Sequence, residues 1–163
     1  TSGNKNHYIT WATEVTGVAY ANCVPLWNGN GTVKVVIGGA DRGPVDETIR
    51  QACYDHIEDN RPIGATVTVV SVVEREIPLT AKVTLVEGYS TEQVADQLSA
   101  AVSALLANQP FGETVAIPFS RFLACLLQCP GVADYSSFTV DGGTAAVTIN
   151  SEDAAVVGSV TIT

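Results

Sequence analysis

The tetrapeptide Asn28-Gly29-Asn30-Gly31 limits the folds open to this chain more than any other feature. Asn and Gly accept the left-handed backbone that a tight turn between two strands demands. The run that follows, Thr32-Val33-Lys34-Val35-Val36-Ile37, is rich in β-branched side chains that favour a pleated strand over a helix. The stretch before it, Val18 to Trp27, reads as the partner strand. A hairpin alone is marginal in water, so other elements must cover it.

Those elements are visible on both sides. Ile9, Ala12 and Val15 recur at helical spacing from His7 to Val15, with Asn6 as N-cap and Thr16-Gly17 as the stop. Pro44 suits a first helical position, and Val45, Ile49, Ala52, Cys53, His56 and Ile57 mark one face of a helix running to Glu58. Residues 65–73 and 77–86 return to β alternation, and Pro78 places the beginning of the second run at a sheet edge. Ser90-Thr91-Glu92-Gln93 has the form of a capping box, ahead of an apolar stripe of Val94, Leu98, Ala101, Val102 and Leu105. A short strand at 114–117, a helix at 120–128 and strands at 132–140, 144–149 and 156–162 complete the chain. This order predicts an α+β fold of two small α/β sandwich units, each a mixed or antiparallel sheet with helices packed on one face. Residues 1–16 form a leader and N-terminal helix, 17–75 the first unit and 76–163 the second.

Composition agrees with a packed core. Of the 163 residues, 46% are hydrophobic and 15% charged, far from the signature of disorder. Eight basic residues face 17 acidic ones, and a net charge of −9 opposes binding to nucleic acid or anionic lipid. No apolar run approaches the roughly 20 residues of a membrane-spanning helix. The chain contains no Met and begins Thr1-Ser2, so it is expected to be a piece of a longer protein.

Candidate chemistry is sparse. Cys23, Cys53, Cys125 and Cys129 fit neither a zinc-knuckle spacing nor a disulfide framework. Cys125 and Cys129 would share a helical face, suited to a metal or a thiol pair, or serve as small core residues. Cys53 and His56 have the spacing of a nucleophile and its base, but no third orienting group or oxyanion donor accompanies them. Phosphate-binding loops, nucleophile elbows and metalloprotease motifs are missing from the sequence. No catalytic, cofactor-binding or metal-binding residue is assigned.

Three stretches carry a resemblance. Trp11-Ala12-Thr13-Glu14-Val15-Thr16-Gly17-Val18, Ala21-Asn22-Cys23-Val24-Pro25-Leu26-Trp27-Asn28-Gly29 and Gly31-Thr32-Val33-Lys34-Val35 resemble the baseplate J-like family of contractile phage and prophage tails, of P2 and Mu type. Arg61 to Val69, Phe111-Gly112, Pro130-Gly131-Val132 and Asp134-Tyr135 match later, in register. The resemblance implies the C-terminal part of a longer wedge protein, with a structural role and no reaction. Its implied partners are other baseplate wedge subunits and copies of itself, with hub and tube proteins engaged indirectly, and no nucleic acid, membrane or cofactor. The implied location is the virion tail baseplate, assembled in the bacterial host cytoplasm. The alternative is a host-receptor or glycan-binding tail module. Within the chain, Trp27, Asn28 and Asn30 are the candidate interface, because an aromatic residue beside a protruding turn is a frequent contact anchor.

Overall fold

The Asn-Gly turn joins two antiparallel strands, β1 (Tyr20–Pro25) and β2 (Thr32–Gly38). β3 (Thr66–Ser71) then pairs parallel to β2, giving a mixed sheet ordered β1-β2-β3. The parallel return is made possible by α2 (Glu47–Asn60), which carries the chain back along the sheet. The computed structural model describes residues 3–163; Thr1 and Ser2 of the leader lie outside the described residues.

Two helices cover one face of this sheet. α1 (Lys5–Thr13) contributes Tyr8 and Ala12, and α2 contributes Cys53 and Ile57, to a core shared with Cys23, Val35, Ile37, Val67 and Val69. Asn4, not Asn6, caps α1, its side chain accepting the His7 N–H at 2.9 Å. Trp11 packs edge-on against Tyr8 and stacks on His7. Helix α2 starts after Pro44, because Asp46 takes the Ile49 N–H and becomes the cap. The Arg50 guanidinium pairs with Glu47 at 2.6 Å and reaches the Val69 carbonyl at 3.2 Å. That contact occupies an acceptor on edge strand β3, where an open backbone would invite pairing with another chain.

Strand alternation sends Val36, Val70 and Val72 to the opposite face, away from the helices. They pack there with Phe111 and Ala154. The first compact unit therefore contains the chain up to Glu74 together with Pro110–Thr114 and Asn150–Ala154.

The second unit comprises Arg75–Gln109, Val115–Ile149 and Ala155–Thr163. Its main sheet is built on β4 (Val73–Leu85), flanked by β6 (Val132–Val140) and β8 (Asp153–Ile162) in the order β6-β4-β8. β4 is central, contrary to the edge position that Pro78 suggests. The antiparallel β4–β6 ladder begins at Leu79 opposite Val140, so Pro78 stands at its end, where its carbonyl accepts the Asp141 N–H at 2.9 Å and its missing N–H interrupts no bond inside the ladder. On the other side, Thr163 donates to the Ala81 carbonyl and accepts from the Val83 N–H, the bonding of a parallel neighbour.

α3 (Thr91–Ala107) opens with the capping box read from sequence: Ser90 accepts the Gln93 N–H, and Gln93 accepts the Ser90 N–H at 2.9 Å. It buries Val94, and it packs Leu98, Val102 and Leu106 into one core with Ile77, Leu79 and Ala81 of the sheet and with α4 (Phe119–Leu127). The strand expected at 144–149 shortens to β7 (Val147–Ile149). It pairs with β5 (Val115–Ile117) instead of forming a hairpin ladder with β6. The turn closes at Val140 and Gly143, and exposed Thr144, Ala145 and Ala146 lead the chain away. The α+β class and the small mixed and antiparallel sheets agree with the reading from sequence.

Candidate protein interface at the hairpin tip

Because β1 ends, and β2 and β3 begin, at the same end of the first sheet, the β1–β2 hairpin loop and the loop before β3 converge there. The hairpin tip and the loop before β3 are tied by the Thr66 N–H, which donates to the Gly31 carbonyl at 2.7 Å. Gly31 lies so near the Gly64 carbonyl that a side chain there would approach it to 3.3 Å.

The turn is braced from within. Thr32 Oγ1 donates to the Gly29 carbonyl at 2.7 Å and accepts the Asn28 N–H at 3.0 Å, while the Leu26 N–H donates to the Thr32 carbonyl at 2.7 Å. This bracing holds Leu26 at φ 57°, a left-handed conformation that a leucine adopts only at a cost of roughly 1–2 kcal/mol. The strained leucine is 62% exposed, Trp27 is 41% exposed and Ile63 is fully exposed. A chain that buries most of its large apolar residues thus presents three of them at one sheet end. Asn28 and Asn30, the other expected interface residues, lie exposed in the same turn.

Trp27 is ordered by its surroundings. The Lys34 ammonium sits 4.3 Å from the centroid of its ring, and Glu152 holds that ammonium at 3.1 Å. A cation over an indole face is attracted by the ring quadrupole, which fixes the ring without covering it. In the neighbouring loop, Arg61 pairs with Glu58 at 2.7 Å and thereby holds the Glu58 carboxyl below its ordinary range. The apolar tip is bordered by charges that are already paired.

Trp27, Asn28 and Asn30 are the interface candidates read from the sequence, and Leu26 and Ile63, exposed beside them, are not among those candidates. The signals are present: Ile63 is a lone large apolar residue between Pro62 and Gly64, and Leu26 follows Pro25 where the strand must end. Neither belongs to an alternating run, so periodicity passes over both.

The nucleophile reading of Cys53 and His56 does not survive. Cys53 is fully buried in the core, whereas His56 is half-exposed with its Nε2 3.3 Å from a Glu14 carboxylate oxygen. Burial pushes the Cys53 thiol up to about 11, the opposite of activation. Cys125 and Cys129 are both buried, and the Cys129 Sγ donates to the Cys125 carbonyl at 3.2 Å. Among the described residues no group of His, Cys, Asp and Glu could hold a metal ion, and no helix is long and apolar enough to cross a membrane.

The thiols set a pH dependence. Burial raises Cys23, Cys53, Cys125, Cys129 and the Tyr8 hydroxyl, so each holds its proton more tightly folded than unfolded. Stability is therefore fully present below about pH 8.5, where an unfolded thiol begins to ionise, and is lost as pH rises through the folded values. Unfolding free energies from urea titrations should be flat from about pH 6, above the carboxylate range, up to that pH and fall steadily above it. Alkylation of native protein near pH 8 should leave Cys53 unmodified, with labelling only in denaturant. Rapid labelling of the native thiol would restore a reactive site.

Comparison with known proteins decides the family. The Baseplate J-like central domain matches residues 1–71 and the Baseplate J-like protein C-terminal domain matches residues 77–163. This chain belongs to the baseplate J-like family. Protein XkdT of the phage-like element PBSX of Bacillus subtilis is 36% identical over 148 residues, covering 86% of this chain and 42% of that protein. Baseplate protein gp47 of Escherichia phage Mu is 54% identical over 33 residues, covering 20% of this chain and 9% of its own length. A chain in the six-fold symmetrised baseplate of the anti-feeding prophage shares the fold, with a TM-score of 0.64 at 17% identity over 93% of this chain and 37% of its own. This chain spans less than half the length of the PBSX relative. The hairpin tip lies inside the central-domain match.

Proposed function

We propose that this chain is a structural, non-catalytic component of a contractile phage or prophage tail baseplate wedge. Its hairpin tip seats against a neighbouring baseplate protein. The observation that carries the tip assignment is the exposed Leu26, Trp27 and Ile63, with Leu26 held outward against its backbone preference. An aromatic anchor ringed by apolar neighbours and already-paired charges is the composition of an interface centre. Asn28 and Asn30 supply amide groups at its margin.

Membership of the family and the likeness to Mu and prophage baseplate proteins support the wedge role. The partners are other wedge subunits and further copies of the chain, with hub and tube proteins engaged indirectly. Assembly takes place in the bacterial host cytoplasm and the product resides in the tail baseplate. A net charge of −9 suits a part that touches neither packaged genome nor anionic membrane. A mechanical part of this kind uses ordered sheets and complementary surfaces, and the raised thiols fit an inert core.

The test is a photo-crosslinking amino acid at position 27 in the full-length protein, incorporated into assembled tails. A covalent product with another baseplate protein is expected, and none from position 92, an exposed helix position in the second unit. Tails that assemble and yield no protein crosslink from position 27 would reject the tip as an interface.

A further inference from the structure

We infer that the central and C-terminal domains of this chain fold and unfold as one thermodynamic unit, because two straps drawn from within the C-terminal match complete the central domain. The central-domain match stops at residue 71 and the C-terminal match begins at residue 77. The compact first unit ignores that division and includes Pro110–Thr114 and Asn150–Ala154. The chain must therefore leave the first unit and re-enter it twice.

The straps supply the layer that the helices do not. α1 and α2 cover the face of the first sheet bearing Val35, Ile37, Val67 and Val69. The opposite face, with Val36 and Val70, is covered by Phe111 and Ala154. The Phe111 ring lies 5.5 Å from that of Tyr20, and the Arg42 guanidinium lies 5.7 Å from the Phe111 centroid. Asn22, a buried polar side chain on β1, donates to the Gly112 carbonyl at 2.7 Å. The other strap holds Lys34 through the Glu152 carboxylate and accepts the Val73 N–H on the Glu152 carbonyl at 2.8 Å. Ser151 donates to Thr114 Oγ1 at 3.2 Å, joining the two straps to each other.

Without the straps, the first sheet would expose β-branched side chains and leave the Asn22 amide without its acceptor. Melting of the second unit frees both straps, so it removes this layer and takes the first unit with it. By the same linkage, a partner that binds only the folded first unit also stabilises the second.

Both tryptophans, Trp11 and Trp27, lie in the first unit, so their fluorescence reports that unit alone, while far-UV circular dichroism reports both. In the full chain, Leu98→Ala opens a cavity in the second core, and Ile77→Val is the milder variant should the first fail to fold. The expected result is one transition in urea, with fluorescence and dichroism midpoints lowered by the same amount. A fluorescence midpoint left at its wild-type value while the dichroism midpoint falls would overturn the inference. Phe111→Ala tests the straps themselves and should shift the fluorescence midpoint below the dichroism midpoint. Coincident transitions at the wild-type midpoint would show that the straps are not the link.

Discussion

Gly112→Ala should destabilise the protein by about 3 kcal/mol, although it adds a single methyl group in a loop. Gly112 has φ +69°, where an alanine carries a penalty of roughly 1–2 kcal/mol. Its Cβ would also stand 2.4 Å from the Asn22 Cβ, too close for either backbone to keep its place. The strap must then lift, and the Asn22-to-Gly112 hydrogen bond of 2.7 Å is lost. Leaving a buried amide unpaired costs about 1–3 kcal/mol by itself. Urea unfolding followed by tryptophan fluorescence measures the loss; a change below about 1 kcal/mol would mean that the loop accommodates the methyl group without moving.

The second large effect is expected in the other core. Phe122 on α4 is fully buried in a cluster that includes Leu98, Val102 and Phe138. Phe122→Ala removes a ring that the surrounding sheet and helices cannot replace, at a cost of about 3–5 kcal/mol. For a chain of this size each kcal/mol lowers the melting temperature by roughly 2–4 °C, so a fall of the order of 10 °C should appear in a thermal scan. An unchanged melting temperature would contradict the packing around α4.

Features written in contiguous residues are legible in the sequence alone. The Asn28–Gly31 turn, the β-branched run behind it and the Ser90–Gln93 capping box each specify their own geometry through steric and hydrogen-bonding preferences. Pro44 misleads because Asp46, two residues later, is the better cap. Pro78 misleads because a residue just outside a ladder needs no N–H. The partner of β7 and the two straps are out of reach for a different reason. Pro110-Phe111-Gly112 reads locally as a loop, and only the arrival of Asn22, ninety positions away in the chain, makes Gly112 indispensable. At the tip, Trp27 stands out as an aromatic residue beside a turn. Leu26 is its neighbour in the chain but lies outside any alternating run, whereas Ile63 joins them through β2–β3 pairing, a long-range contact.

Under the proposed function the apolar tip serves assembly and not the stability of the chain itself. Leu26→Asn together with Ile63→Asn separates the two. Asn tolerates the left-handed backbone at position 26, so that exchange relieves strain, while position 63 is fully exposed and buries nothing within the chain. The double variant should therefore melt at or above the wild-type temperature. Produced as full-length protein in a tail-forming cell, it should give particles without completed baseplates when imaged by electron microscopy. Normal baseplates built from the double variant would show that the tip makes no contact that assembly needs.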